Sequence, residues 1–212
     1  MRTFEALSKL LVLCGAAFAT LAAFDAVYAG NISRLHSFSG GSDGYYPQAG
    51  LIRDGSGNLY GTTEYGGSGC YGGICGTVFK LAPDGTETVL HAFTGGNDGE
   101  FPLSDLIRDS SGYLYGTTFS GGTHGGGVVF KLDSSGGETV LHAFAAGGSD
   151  GFQPHAGLVM DAAGNLYGTT SLGGGVSCDL TESGCGTVFK LDQHGTETVL
   201  HAFGGENDGE YP

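Results

Sequence analysis

The sequence has 212 residues, of which 43 are glycine and none is tryptophan; 40% are hydrophobic and only 14% are charged. This apolar content is enough for a folded core and too high for a disordered acidic tail. The formal net charge of −14 repels phosphate backbones and anionic membrane surfaces, so we expect no nucleic-acid partner.

Residues 1–29 have the pattern of a secretory signal peptide. Arg2 and Lys9 precede or flank the start of the apolar run LLVLCGAAFATLAAF, and small residues close the segment at Ala29. We predict cleavage after Ala29, which leaves a secreted chain, extracellular or periplasmic, without membrane insertion. A retained membrane anchor is the alternative, although the run is short for a membrane span and Asp25 interrupts it.

One phrase recurs through the rest of the chain. GTVFKLAPDGTETVLHAF at 76–93 returns as GVVFKLDSSGGETVLHAF at 127–144 and as GTVFKLDQHGTETVLHAF at 186–203. The histidine of its LH-x-F motif stands at His36, His91, His142 and His201. The resulting period of about 50 residues is that of blade-sized β repeats.

Each period contains four short apolar stretches, represented by TVFKL, ETVLHAF, LIRD and LYGTT. None is long enough, or has the 3.6-residue periodicity, to be a helix. The pattern predicts an all-β, β-propeller-like array of four-stranded antiparallel blades. A β-solenoid or a stacked sandwich is the alternative, because the period alone does not fix how repeats stack.

We place the blade boundaries just before each VFKL strand. This gives a partial blade at 30–75, blades at 76–126 and 127–185, and a partial blade at 186–212. Because the last copy stops in mid-repeat, we expect an incomplete array that belongs to a longer protein. Closure of a small ring by the terminal strands is the alternative.

The connections between the predicted strands are of two kinds. Tight turns such as DGSGN and APDGT contain aspartates expected to bond their own backbone, among them Asp54, Asp109 and Asp161. Long glycine-rich loops include TGGNDGEFPLS and the segment before each VFKL. Since an antiparallel meander reverses at every connection, tight turns and long loops are predicted at opposite ends of the array.

Four cysteines remain after the predicted cleavage: Cys70, Cys75, Cys178 and Cys185. They form two local pairs in an exported chain, so we predict disulfides within CYGGIC and within CDLTESGC. Free thiols and a zinc site are the alternatives, but neither pair has zinc-knuckle spacing.

The recurring motifs GGTVFKL, TETVLHAF, GGNDG-x-x-P and D-x-x-GNLYGTT resemble the bacterial GloVer tandem repeats, a family of extracellular repeat proteins with varied C-terminal anchors. The resemblance covers residues 31–212. It implies an exported propeller-like array and supplies no catalytic residues. Residues 31–212 do not include the anchor of the family pattern, so we do not expect these residues themselves to attach the protein to the cell surface.

The recurring histidine is interpreted as a hydrogen-bonded strand residue, because its copies lie a whole repeat apart and are too distant to share one metal ion. The GG-x-DG loops raise a calcium hypothesis through Asp43, Asp98, Asp150 and Asp208. They match neither the EF-hand pattern nor the β-roll nonapeptide. We therefore expect no metal and no cofactor, with calcium as the remaining alternative.

Residues that break the repeat are candidates for a particular function, because packing needs the same residue in every copy. They are Glu64, Asp105, His124 and His155. A carboxylate pair such as Glu64 and Asp105 would suit a propeller-type polysaccharide hydrolase or lyase. Random drift at exposed positions explains all four equally well. No nucleophile elbow, phosphate loop or zinc-protease motif is present, so an enzyme is the alternative and not the main expectation.

Aromatic residues gather in the long loops, namely Tyr45, Tyr46, Tyr65, Tyr71, Phe101, Phe119, Phe152 and Tyr211. We take Tyr45, Tyr46, Tyr71, Phe101, Phe152 and Tyr211 as candidate binding residues. Rings beside Asp and Asn acceptors suit neutral sugars or protein surfaces. The alternative for each ring is that it fills a gap between blades. The sequence thus favours binding of a glycan or surface protein, or scaffolding, through the long-loop face; a purely structural surface repeat is the other alternative.

Overall fold

The computed structural model describes residues 33–69, 72–175, 184–204, 208–209 and 211–212. The predicted signal peptide lies outside these residues. The chain divides into Met1–Leu35 and His36–Pro212, and all the elements below belong to the second unit. Within the described ranges every regular element is a β-strand, and no helix is present that could span a membrane.

The strands form three four-stranded antiparallel sheets, each in simple chain order. The first sheet consists of β1 (Ile52–Arg53), β2 (Leu59–Thr63), β3 (Thr77–Leu81) and β4 (Glu87–Ala92). The second consists of β5 (Ile107–Arg108), β6 (Leu114–Thr118), β7 (Gly125–Leu132) and β8 (Glu138–Ala145). The third consists of β9 (Val159–Met160), β10 (Leu166–Thr170), β11 (Thr187–Leu191) and β12 (Glu197–Ala202). The predicted propeller-like array of four-stranded blades is confirmed.

The strands are grouped differently from the predicted blades. Each sheet begins with the LIRD-type strand and ends with the LHAF strand, so the boundaries placed before VFKL are wrong. The reason lies in the segment after LHAF, which leaves its own sheet. Glu100 in this segment forms a β-bridge with Ser120, which follows β6 of the next sheet.

The residue before a loop proline links two sheets at Phe101 and at Gln153. Phe101 donates its N–H to the carbonyl of Cys75 ahead of β3, and its own carbonyl accepts the N–H of Phe119 after β6. Phe101, which bonds to both sheets, has a left-handed φ of 56°. The same conformation recurs at Tyr46, Gln153 and Tyr211. A non-glycine residue rarely takes this conformation, yet it recurs before all four of these loop prolines.

A glycine in the same loop is needed for close packing. Gly99 has a φ of 93°, and a Cβ at this position would lie 2.2 Å from Thr118 Oγ1. Gly44 and Gly151 face Thr63 and Thr170 in the same way, also at 2.2 Å. The loop can approach β6 and its counterparts only because no side chain is present.

The cores lie between neighbouring sheets. One cluster joins the first two sheets, and its buried members include Val78, Phe93, Leu114 and Phe130. A second cluster, which includes Val129, Phe144 and Phe189, joins the second and third sheets. The middle sheet is therefore covered on both faces, which explains why β7 is a nearly continuous apolar run.

A phenylalanine pair recurs at each contact between repeats. The LH-x-F phenylalanine of one repeat meets the VFKL phenylalanine of the next edge to face. The centroid distances are 5.0 Å for Phe38–Phe79, 5.2 Å for Phe93–Phe130 and 5.2 Å for Phe144–Phe189. This geometry is a favoured one for aromatic pairs. The repeated phrase thus contains both phenylalanines of this contact: the LH-x-F phenylalanine packs on the next repeat, and the VFKL phenylalanine packs on the previous one.

The aspartates of the tight turns have the predicted role. Asp54 accepts hydrogen bonds from the backbone N–H groups of Ser56 and Asn58, both at 2.9 Å, and from the Tyr60 hydroxyl at 3.0 Å. The hydrogen bond from the Asn58 side chain is the main cause that lowers the pKa of Asp54 to about 2. The equivalent Asp161 has a pKa of about 2 for the same reason, through Asn165.

Candidate functional site

Three tyrosines meet on the long-loop face of the first sheet. The ring centroids of Tyr45 and Tyr65 lie 5.3 Å apart, those of Tyr45 and Tyr46 5.5 Å apart, and those of Tyr46 and Tyr65 5.8 Å apart. Phe101 from the next repeat packs edge to face on Tyr65 at 5.6 Å. We call Tyr45, Tyr46 and Tyr65 the tyrosine cluster.

Backbone contacts fix the cluster in place. Tyr45 and Tyr65 exchange a pair of N–H to carbonyl hydrogen bonds at 2.9 and 3.2 Å, and the carbonyl of Tyr46 accepts the N–H of Glu64 at 3.0 Å. Tyr45 and Tyr65 are half-buried, whereas Tyr46 is 63% exposed. The cluster therefore presents a supported aromatic ring to solvent.

Polar groups border the cluster. Glu64 accepts a hydrogen bond from the side-chain amide of Gln48. A hydrogen bond to Glu64 is also the main cause that raises the pKa of Tyr65 above its ordinary value. Acceptors and donors thus lie beside the exposed ring of Tyr46.

Of the three equivalent bridges in the described residues, only the first joins two tyrosines. The bridge Tyr45–Tyr65 corresponds to Glu100–Ser120 in the second repeat and to Phe152–Leu172 in the third. The second pair is polar, with the Ser120 hydroxyl donating to Glu100 at 2.6 Å, and the third is apolar. The backbone is repeated, but the chemistry of this position changes from one sheet to the next.

The other aromatic residues predicted to bind do not all lie near the tyrosine cluster. Phe152 is only 7% exposed and belongs to the core between the second and third sheets, so its assignment to the binding surface is wrong. It packs inward because its bridge partner, Leu172, is also apolar. Tyr211 is 46% exposed, and Phe101 supports Tyr65. Tyr71 lies outside the described residues.

The repeat-breaking Asp105 has a structural partner. Its carboxylate accepts the backbone N–H of Gly50, and a Cβ on Gly157 would lie 3.3 Å from the Asp105 Cβ. Positions 50, 105 and 157 are equivalent and lie two residues before the first strands of the three sheets. The equivalent ends of the sheets therefore converge here, as in a propeller, and two glycines leave room for one aspartate.

The remaining repeat-breaking residues have partners of their own. Glu64 is engaged by Gln48, and His124 Nδ1 lies 3.1 Å from the hydroxyl of Thr123. The ring of His155 packs on Phe119 with a centroid distance of 6.0 Å. The structure gives these residues separate local contacts and does not assemble them into one catalytic group.

Two cysteines can be placed. Cys75 and Cys185 precede β3 and β11 and are 2% and 0% exposed. Cys70 and Cys178 lie outside the described residues, so the two predicted disulfides remain predictions.

A groove of about 560 Å³ lies between the second and third sheets at the tight-turn end. Its polar lining includes Asp109, Lys131, Asp161 and Gln193. Sequence reasoning did not identify this groove, because its lining residues recur as turn and strand residues in every copy.

A further group of side chains recurs between consecutive repeats. It combines the histidine of one LH-x-F motif, the aspartate of the following GG-x-DG loop and the glutamate that begins the last strand of the next sheet. We call each group a joint. The first joint is His36, Asp43 and Glu87; the second is His91, Asp98 and Glu138; the third is His142, Asp150 and Glu197.

In the first two joints a ligand atom of each of the three residues lies within 4.8 Å of the others, and such a set could hold a metal ion. Among the described residues the third joint does not meet this condition. Sequence reasoning considered the histidines and the aspartates separately and missed the glutamates. The available signal was an acidic residue in the same place of every ETVLH strand.

Burial controls the charge of the second joint. Desolvation raises the pKa of Glu138 to about 8, with a smaller contribution from the negative charge of Asp98. Desolvation also lowers the pKa of His91, against the opposing effects of Asp98 and the carbonyl of Gly136. Near neutral pH the metal-free joint therefore favours a protonated glutamate and a neutral histidine.

Solved structures with a similar fold include a gluconolactonase from Xanthomonas campestris, with a TM-score of 0.50 and 16% identity over 76% of this chain and 50% of that one. A luciferin-regenerating enzyme has a TM-score of 0.42 and 15% identity over 76% and 47% of the two chains. Dipeptidyl peptidase 4 from Porphyromonas gingivalis has a TM-score of 0.41 and 12% identity over 72% and 18%.

The present chain spans about half the length of the gluconolactonase. At 16% identity this likeness shows the fold alone, and the two structures with TM-scores below 0.5 add nothing to it. No curated protein matches the chain. The family model of the Gloeobacter/Verrucomicrobia repeat, however, matches residues 18–212. The chain therefore belongs to the Gloeobacter/Verrucomicrobia repeat family, as its motifs predicted.

Proposed function

We propose that this protein is an exported repeat protein that binds a neutral glycan through the tyrosine cluster. The observation that carries the proposal is the ring of Tyr46, which is 63% exposed and is backed by Tyr45 and Tyr65. An exposed ring on a fixed support offers an apolar face on which the C–H face of a sugar can stack, and little conformational entropy is lost when it does.

The surroundings of Tyr46 suit hydroxyl groups. Glu64 donates its N–H to the carbonyl of Tyr46, and Gln48 donates to the Glu64 carboxylate, so an amide and a carboxylate border the cluster that would hold a sugar. The formal net charge of −14 disfavours acidic polysaccharides, so a neutral glycan fits better. Export rests on the signal-peptide pattern of residues 1–29.

The test is a binding measurement on the purified protein with a panel of neutral polysaccharides, followed by calorimetric titration of the best ligand. Replacing Tyr46 by Ala removes the exposed ring, and Tyr65→Ser introduces the residue that the second repeat has at the equivalent bridge. We expect each substitution to weaken binding about tenfold or more, because central aromatic residues dominate such interfaces.

Tyr113→Ala is the matched control. Tyr113 is 37% exposed and lies in the tight turn before β6, at the opposite end of the sheets. Glycan affinity should not change in this variant. Binding that survives both Tyr46→Ala and Tyr65→Ser, or a protein that binds no neutral glycan but captures a surface protein through the same residues, would contradict the glycan proposal.

A further inference from the structure

The distances in the first two joints are longer than those of normal hydrogen bonds. His36 Nε2 lies 3.7 Å from Glu87 Oε2, and His91 Nε2 lies 3.4 Å from Asp98 Oδ2 and 3.9 Å from Glu138 Oε2. Two ligands that share one ion through bonds of ~2.0–2.1 Å lie ~3.3–3.9 Å apart at tetrahedral and wider angles. These three histidine–carboxylate distances therefore match the spacing of two ligands on one metal ion, and the other ligand atoms of each joint lie within 4.8 Å.

Several of the same polar groups are buried without a partner. His36 Nε2, Glu87 Oε1, His91 Nε2 and Glu138 Oε1 are inaccessible to solvent and have no hydrogen bond. Glu197 Oε1 of the third joint is in the same state, so it is the unpartnered histidine nitrogen that distinguishes the first two joints. The side chain of Glu87 is only 10% exposed and that of Glu138 only 11%. A buried polar atom without a partner costs roughly 1–3 kcal/mol, so its recurrence in consecutive repeats needs an explanation.

The surrounding contacts orient these groups toward one point. Asp98 is held by the backbone N–H of Thr94 at 2.9 Å and by the Thr94 hydroxyl. Asp43 is held in the same way by the N–H of Ser39 at 2.7 Å and its hydroxyl at 2.6 Å. The ring of His91 also interacts with the carbonyl of Gly136, which leaves Nε2 facing the carboxylates. Contacts of this kind orient the ligands of known metal sites.

We propose that each of the first two joints binds one divalent transition-metal ion of the Zn²⁺ class, through His36, Asp43 and Glu87 and through His91, Asp98 and Glu138. The ion links the end of one repeat to the last strand of the next sheet. One imidazole nitrogen and two carboxylates suit zinc and its neighbours in the first transition row, whereas Ca²⁺ takes oxygen ligands only.

The third joint provides an internal comparison. Here His142 Nε2 forms a hydrogen bond with Asp150 Oδ2 at 3.2 Å, and among the described residues Glu197 does not complete a set within 4.8 Å. His201 and Asp208 likewise form a hydrogen bond at 3.0 Å. The histidine and aspartate thus pair directly where a close glutamate is lacking, and we assign no metal ion to those positions.

The experiment uses protein without a polyhistidine tag, treated with EDTA and dialysed, and titrated with ZnCl₂ in a calorimeter at pH 7.5. We expect two Zn²⁺ ions per chain, one for each of the two joints, and a rise in Tm on binding. CaCl₂ in the same titration should give no comparable rise. Glu87→Gln and Glu138→Gln should each reduce the stoichiometry from two to one, and the double variant should bind none.

Glu197→Gln is the matched control and should still bind two ions. The zinc absorption-edge spectrum of the loaded wild-type protein gives a readout that needs no variant, and it should show one imidazole per zinc with oxygen ligands. The proposal is overturned if zinc does not bind, if binding persists in the double variant, if Glu197→Gln loses an ion, or if the spectrum shows two or more imidazoles per zinc.

Discussion

Glu138 and His91 come from different sheets, and their charges depend on the contact between them. The raised pKa of Glu138 reflects the loss of water around its carboxylate. In the folded protein this group holds its proton far above the pH at which it would lose it in the unfolded chain. The joint therefore contributes to the pH dependence of folding.

The sign of this dependence follows from proton binding. Between about pH 4.5 and 8 the folded state holds a proton on Glu138 that the unfolded state has released, so the free energy of unfolding falls as the pH rises. His91, whose pKa is lowered, acts in the opposite direction only below its unfolded pKa of about 6.5. Glu197, with a pKa of about 7, lowers the free energy of unfolding in the same way, and most of its effect lies below pH 7.

We therefore predict that, in EDTA, the free energy of unfolding falls by about 1 kcal/mol per unit between pH 7 and pH 8 through Glu138. Glu138→Gln should flatten this slope, because it removes the group whose pKa of about 8 lies at the end of this range. Glu197→Gln should retain the slope. Urea unfolding at several pH values checks this, and an unchanged slope in Glu138→Gln would refute it.

A second prediction at the residue scale concerns the loop glycines. Gly99→Ala combines a left-handed φ with a Cβ 2.2 Å from Thr118 Oγ1, so it should destabilise the protein by about 2–4 kcal/mol. Gly147→Ala has a similar φ of 78° but no atom within 4 Å, so it isolates the backbone strain, about 1 kcal/mol. Equal losses of stability in the two variants would show that the close approach to β6 does not matter.

At the scale of the strands and sheets, the position of a repeat decides how much its phenylalanine contributes. Phe144 closes β8 of the middle sheet and is fully buried against Phe189. Phe203 is its equivalent after β12 and is partly exposed. The two side chains have the same sequence context but differ in coverage by a neighbouring sheet.

Phe144→Ala should therefore cost about 3–5 kcal/mol of unfolding free energy, in the range of buried phenylalanine truncations. Phe203→Ala should cost clearly less, because less apolar surface returns to water. Denaturant unfolding of the two variants gives the comparison. A loss for Phe203→Ala as large as that for Phe144→Ala would contradict the packing described for the middle sheet.

The strands and turns were predictable because their signals are local. The apolar stretches, the Asp-Gly turns and the period of about 50 residues each depend on neighbouring residues in the chain. The grouping of strands into sheets was not predictable in the same way. It depends on whether the segment after LHAF pairs with its own sheet or with the next one, as Glu100 does with Ser120.

The candidate site was predicted only in part. The long-loop tyrosines Tyr45 and Tyr46 were identified from composition and repeat position, but the inward packing of Phe152 was not, because burial depends on the partner Leu172. The joints were missed for a similar reason. His91 and Glu138 are far apart in sequence and meet only when two sheets stack.

At the scale of the whole molecule, export and oxidation can be tested together. If the signal peptide is removed after Ala29, the protein should begin at Gly30. If both local cysteine pairs are oxidised, its intact mass should show the deficit of two disulfide bonds. Mass spectrometry of protein recovered from outside the cytoplasm, before and after reduction, provides the measurement. Retention of residues 1–29 or a mass unaffected by reduction would contradict these predictions.

The repeated phrase should join neighbouring sheets into one cooperative structure. One buried cluster joins the first and second sheets, and another joins the second and third. The decisive measurement is differential scanning calorimetry of the wild-type protein and of Phe130→Ala, which truncates the core between the first two sheets. We predict one transition in each protein, with equal calorimetric and van't Hoff enthalpies, and a lower Tm in the variant. Separate transitions, or a variant in which part of the protein still melts at the wild-type temperature, would show that the repeats fold independently.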